Sequence, residues 1–158
     1  MTPVKREQLP ACLEILRNSY EATAVRFGMT EENCPYRGRT RLPLSELERE
    51  YDEGAWMVGY LVDGELVGFL SLQQEGRTLH IQDLAIVPER QSRGYGSALL
   101  RYAEARAVER GCEKLSLGMV HDHEALRGWY EHQGFSTVQV RCFEKVRYGV
   151  GLMEKGIS

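Results

Sequence analysis

Residues 84–100, LAIVPERQSRGYGSALL, pass from an apolar run through a short polar turn straight into a helical pattern. Pro88 closes the run, because a residue without an N–H cannot continue a strand ladder. Over residues 94–110, Leu99, Leu100, Ala103 and Ala107 supply one apolar face, and Gly111 is placed to end the helix in the left-handed conformation. Residues 114–119 then alternate Leu115, Leu117 and Met119, as a half-buried strand does. Strand, helix and strand in that succession make the two strands parallel, joined by a right-handed crossover. The fold class is therefore mixed α/β.

The remaining elements follow from periodicity and turn chemistry. Residues 7–20 carry Leu9, Cys12, Leu13, Leu16 and Tyr20 at helical spacing, with Pro10 tolerated in the first turn. Residues 21–41 contain Gly28, Pro35 and Gly38 and read as a helix end followed by a long loop. A short helix fits residues 43–51, with Leu44, Leu47 and Tyr51 on one side. Two β-runs, 55–62 and 65–73, flank Asp63-Gly64, a hairpin turn that needs positive φ at both positions. After Glu75-Gly76-Arg77 comes the run TLHIQDLAIV, residues 78–87. Asp122 is placed to cap a helix carrying Leu126, Trp129 and Tyr130, which Gly134 closes. Strands at 135–143 and 146–154 complete an order of β(α)α, three antiparallel strands, helix, strand, helix and two strands. No repeat or linker interrupts it, so residues 1–158 are expected to form one domain.

Composition removes several classes of function. The net charge of −3 gives no electrostatic reason for nucleic acid or an anionic membrane as partner. No stretch approaches the ~20 apolar residues that cross a bilayer. The opening MTPVKREQLPACLEIL has charges where a signal peptide needs its apolar run, so a cytoplasmic location is expected. The scattered Cys12, Cys34, Cys112 and Cys142 have no zinc spacing and read as free thiols. Cys34 has no base assigned near it and is not read as a nucleophile. His121, Asp122 and His123 read as a helix cap with solvated neighbours, and no metal is expected.

The chemistry concentrates at the strand–helix junction. Gly94 and Gly96 leave main-chain N–H groups uncovered at a helix N-terminus, where unsatisfied donors and the helix dipole favour a phosphate. Arg93 adds positive charge, and Ser97 stands in the first turn as a further donor. The pattern is not a dinucleotide fingerprint, which needs a third glycine, nor a P-loop, which needs Gly-Lys-Ser/Thr. Close packing of helix on sheet is the other use for such glycines.

Gln91-x-x-Gly94-x-Gly96 behind an LAxxP strand end resembles the signature of the GNAT acetyltransferase superfamily. The later WYEHQGF, residues 129–135, is similar to that family's LYEKLGF segment. The inferred element order matches as well, so the resemblance covers nearly the whole chain. It implies acetyl-CoA as co-substrate, lying between a fourth strand at 78–87 and a fifth at 114–119 that splay apart. On that resemblance Leu84, Ala85 and Ile86 pair with the pantetheine arm through their backbone. Gln91, Ser92, Arg93, Gly94, Tyr95, Gly96 and Ser97 surround the diphosphate, and His123 joins the cofactor-binding set. An N–H near Ile86 stabilises the tetrahedral oxyanion, a contribution of ~3 kcal/mol.

Tyr130 aligns with the family's general acid, although on spacing alone it is a packing aromatic beside Leu126 and Trp129. His80 stands on the fourth strand where some members carry a catalytic glutamate, and is the candidate base, with Asp83 close by. A partly exposed strand residue and a water chain are the competing readings. Gly118 replaces a glutamate, and His123 an asparagine, found in many protein N-terminal acetyltransferases of the family. The implied reaction is acetyl transfer to a primary amine of a small molecule. A catalytically silent acyl-CoA-binding module and a protein or peptide acetyltransferase remain open. So does a homodimer through the final strands. Residues 26–41, with Glu31, Glu32, Arg37, Arg39 and Arg41, are the expected acceptor-facing region or else a solvated loop.

Overall fold

A computed structural model describes residues 1–26, 42–142 and 149–157. Its elements are β1 (Thr2–Pro3), α1 (Leu9–Arg26), α2 (Leu44–Asp52), β2 (Trp56–Val62), β3 (Glu65–Glu75), β4 (Thr78–Ile86), α3 (Tyr95–Glu109), β5 (Lys114–Val120), α4 (Glu124–His132), β6 (Ser136–Cys142) and β7 (Gly149–Gly156). Single 3₁₀ turns at Arg6–Gln8 and Pro88–Arg90 lead into α1 and away from β4. The described strands form one sheet in the order β1-β2-β3-β4-β5-β7-β6, and only β4 and β5 run parallel. The expected acceptor-facing loop lies largely outside the described residues. So does the start of the last expected strand. No described helix is long and apolar enough to cross a membrane.

Local chemistry sets the boundaries. Asp63 and Gly64 take φ of 51° and 80°, the paired positive values of a two-residue hairpin. Gly111 and Gly134 end α3 and α4 at φ of 67° and 99°. The first helix continues to Arg26, past the end read at residue 20. The cap of α4 is also not the residue expected. His123 is its N-cap, its side chain accepting from the Leu126 N–H, while Asp122 Oδ1 accepts from Gly149 N–H at 3.0 Å. Asp122 thus ties the end of β5 to β7, and the helix starts one residue later.

Two apolar layers cover the sheet. Met57 and Phe69 pack with Leu9, Leu13, Leu16 and Leu47 under α1 and α2. Val58 and Leu70, the next residue along each strand, pack with Leu99, Leu100, Ala103 and Tyr130 under α3 and α4. That is the strand's period of two written into the core.

β4 breaks this period once. Leu79, Ile81, Leu84 and Ile86 all contact the α3 layer, although two are odd-numbered and two even. The register explains it: Leu72 faces Ile81 and Ser71 faces Asp83, so Gln82 has no partner on β3. One extra residue re-aims everything after it. His80, Asp83 and Ala85 consequently share the α1 side of the sheet.

Candidate active site

The parallel pairing of β4 with β5 runs from Thr78–Lys114 to Ile81–Leu117 and stops there. Beyond it, among the described residues, β5 pairs only with β7, and the β5-facing backbone edge of residues 82–86 has no strand partner. Leu84, Ala85 and Ile86 lie on this open edge. An extended chain with amide groups, laid in the gap, finds there the donors and acceptors a neighbouring strand would supply.

The open-edged end of β4 leads into the turn that starts α3. Ser92 has φ of 64° and Gly94, the N-cap, φ of 85°. The first helical bond is Ala98 N–H to Gly94 C=O, 3.0 Å. Among the described residues, the amides of residues 92–97 donate to no acceptor in the chain. Consecutive unspent donors in a turn with left-handed residues make an anion-binding concavity, and the positive end of a helix dipole points into it. Arg93 is exposed beside it and makes no ion pair among the described residues. Gln91 does not reach outward: its Nε2 donates to the Ile86 carbonyl at 3.2 Å, binding the turn to the end of β4. The Tyr95 ring rests on Tyr60, with centroids 4.9 Å apart.

Gly94 and Gly96 divide between them the two uses open to such glycines. A Cβ on Gly94 meets nothing within 4 Å, so this glycine serves the left-handed backbone of the open turn. A Cβ on Gly96 would stand 3.2 Å from the Trp129 indole, so this glycine serves the contact of α3 with α4. Ser97 reinforces that contact, its Oγ accepting from Gln133 Nε2 at 3.0 Å. The turn is therefore fixed relative to α4, the helix that carries Tyr130.

Tyr130 is buried against Trp129 and Phe135, with ring centroids at 5.0 and 5.7 Å. The ring packs as its helical spacing implies, while the hydroxyl makes no hydrogen bond among the described residues. Burial pushes the phenol above its ordinary value, so it keeps its proton. His123, by contrast, spends Nδ1 on the helix cap at 3.3 Å from the Leu126 nitrogen.

His80 stands on the opposite side of the sheet from Tyr130. Its Nδ1 lies 2.8 Å from Ser116 Oγ on β5. Burial lowers its pKa from 6.5, while Glu75 and Asp83 pull upward. Asp83, 2% exposed, accepts a hydrogen bond from the Tyr20 hydroxyl of α1 at 2.9 Å. A carboxylate inside the apolar run TLHIQDLAIV is the sequence signal for this buried position, beyond its nearness to His80. Nothing in the local sequence around Ser116 marks it as a partner of His80. The Tyr130 phenol thus lies on the α3 side of the sheet, and the His80 imidazole on the α1 side, in the last stretch of β4 still paired with β5.

Residues 12–135 match the Acetyltransferase (GNAT) family. An acetyltransferase of Pectobacterium atrosepticum is 31% identical over 98 residues, which are 61% of this chain and 69% of that protein. The PaiA N-acetyltransferase from Thermoplasma acidophilum, solved in complex with coenzyme A, superposes at a TM-score of 0.75 with 21% identity, covering 97% of this chain and 95% of that one. The ribosomal-protein-S18-alanine N-acetyltransferase from Escherichia coli gives 0.75 at 19% identity, over 99% and 92% of the two chains.

Proposed function

The chain belongs to the acetyltransferase (GNAT) family, and from that premise we propose that it moves an acetyl group from acetyl-CoA to a primary amine of a small molecule, in one step within a ternary complex. The observation that carries this reading is the row of unspent amides at residues 92–97, continuous with the open edge of β4. The amides suit a diphosphate and the edge suits the amide-bearing pantetheine arm, which supports coenzyme A as the acyl carrier. The coenzyme A complex of the Thermoplasma acidophilum neighbour agrees with it.

The thioester supplies the acyl group and a good leaving group. The amine attacks from the α1 side, where His80 takes the proton it sheds. The oxyanion meets the N–H groups near Ile86. As the C–S bond breaks, Tyr130 donates a hydrogen bond to the departing sulfur from the α3 side. Gly118, in place of a glutamate, supports a small-molecule acceptor over a protein N-terminus. Residues 1–158 act as one domain in this reading. A homodimer would use β6, the outermost strand, on which Val138 and Val140 are 52% and 41% exposed.

Thiol release from acetyl-CoA, followed with a panel of small amines and a parallel panel of peptides, tests the proposal. Small amines are expected to give release above the hydrolysis background, and peptides are not. Tight cofactor binding with no release would instead identify a binding module, and release with peptides alone a protein acetyltransferase.

The acid limb of kcat/KM carries a second prediction. Because burial depresses His80, its neutral, proton-accepting form persists to lower pH, and the limb should fall below pH 6.5. His80→Ala should lower kcat/KM by about 10²-fold and abolish that limb. An unchanged rate and profile in this variant would remove His80 from the reaction.

A further inference from the structure

The Ser116–His80 pair decides which nitrogen of the imidazole can work. Ser116 is 5% exposed, lies opposite His80 in the parallel register, and spends its Oγ on His80 Nδ1. Among the described residues, Nε2 makes no hydrogen bond. The two ring nitrogens point in divergent directions, so tying Nδ1 to β5 turns Nε2 away from that strand. A neutral imidazole accepts a proton at Nε2 only when Nδ1 already carries one, and an Nδ1–H needs an acceptor. A buried hydroxyl oxygen at 2.8 Å is such an acceptor.

We propose that Ser116 is the positioning residue of the base: its Oγ accepts from Nδ1–H of His80, which fixes the ring and leaves the Nε2 lone pair for the acceptor's proton. This inference rests on the assignment of His80 as base. In the step it serves, the ammonium of the acceptor loses one proton and Nε2 gains it. The imidazolium keeps its Nδ1–H bond to Ser116, and the freed amine lone pair forms the new C–N bond; the C–S bond then breaks with its electron pair leaving on the coenzyme A sulfur, which takes up the proton the nitrogen sheds as it becomes an amide. The charged groups around the ring are accounted for. Glu75 and Asp83 both favour the imidazolium, and Tyr20 of α1 holds Asp83. Glu154 of β7 stands opposite Ser116 but is paired with Lys114 at 2.7 Å. Gln73, facing His80 on β3, is neutral.

Nitrogen-15 NMR of histidine-labelled protein reads the tautomer without any substrate, the His80 signals being identified by their loss in His80→Ala. The wild type should show His80 protonated at Nδ1, and Ser116→Ala should move the proton toward Nε2. In turnover with the best amine, Ser116→Ala should lower kcat about tenfold, a fraction of what a general base contributes, with KM for acetyl-CoA unchanged. Ser116→Thr should restore the rate. Combining Ser116→Ala with His80→Ala should cost no more than His80→Ala alone. An Nε2–H tautomer in the wild type, or a Ser116→Ala enzyme with wild-type rate and ring shifts, overturns the inference while a slow His80→Ala enzyme preserves the base. Full activity in His80→Ala sinks the base assignment, and this inference with it.

Discussion

Tyr130→Phe should lower kcat by about 10²-fold or more, the range for losing one hydrogen-bond donor to charge that develops in the transition state, while acetyl-CoA binds as in the wild type. The substitution is confined to the chemistry. The ring keeps its edge contacts with Trp129 and Phe135, and the hydroxyl it gives up holds no hydrogen bond among the described residues. Thermal unfolding should therefore change little.

The electrostatics refine the role. A phenol near 10 is a weaker acid than a thiol near 8.5, so complete transfer to the thiolate is uphill by ~2 kcal/mol even in water. Burial raises the Tyr130 phenol further. In the proposed reaction Tyr130 therefore serves as a hydrogen-bond donor to sulfur while charge builds, not as a full proton donor. No basic limb from its ionisation should appear below pH ~10. Single-turnover rates and equilibrium binding of acetyl-CoA, measured side by side on the two proteins, check this. Equal turnover would remove Tyr130 from the reaction.

Gly94→Val should weaken acetyl-CoA binding by roughly tenfold or more, through the backbone and not through crowding. A Cβ there meets nothing within 4 Å, but the φ of 85° is one that a β-branched residue resists. Holding an L-residue left-handed costs about 1–2 kcal/mol. A turn that relaxes to avoid the strain withdraws the amides of residues 92–97 from their common focus. Gly96→Ala gives the contrast. Its added carbon presses at 3.2 Å on a ring already packed in the core, so it should cost stability, about 1–3 kcal/mol for an overpacked site. Melting temperatures together with calorimetric titration separate the two effects. Wild-type affinity in Gly94→Val would mean that the left-handed corner is not needed to bind the cofactor.

Features governed by neighbours in sequence were legible before any coordinates. Asp63-Gly64 specified its turn, Gly111 and Gly134 their helix ends, and the strand–helix–strand unit its parallel pair. The signature residues around Gly94 and Tyr130 pointed to the family, which its match over residues 12–135 bears out. What escaped was set by partners far along the chain. The bulge at Gln82 exists only in the register of β4 against β3, and it alone puts His80, Asp83 and Ala85 on one side. Asp83 gains its meaning from Tyr20, and His80 from Ser116. Asp122 looked like the cap of α4 because nothing local announced that Gly149 would claim its carboxylate. Gly96 looked like open backbone because the indole that covers it arrives from a later helix.

The most direct measurement follows the backbone amide signals of isotopically labelled protein as acetyl-CoA is added. Binding should saturate, with the amides of residues 92–97 among the largest shifts and those along residues 82–86 moving in step. A protein that takes up no coenzyme A derivative, or one that saturates while the amides of residues 92–97 stay where they were, contradicts the assignment.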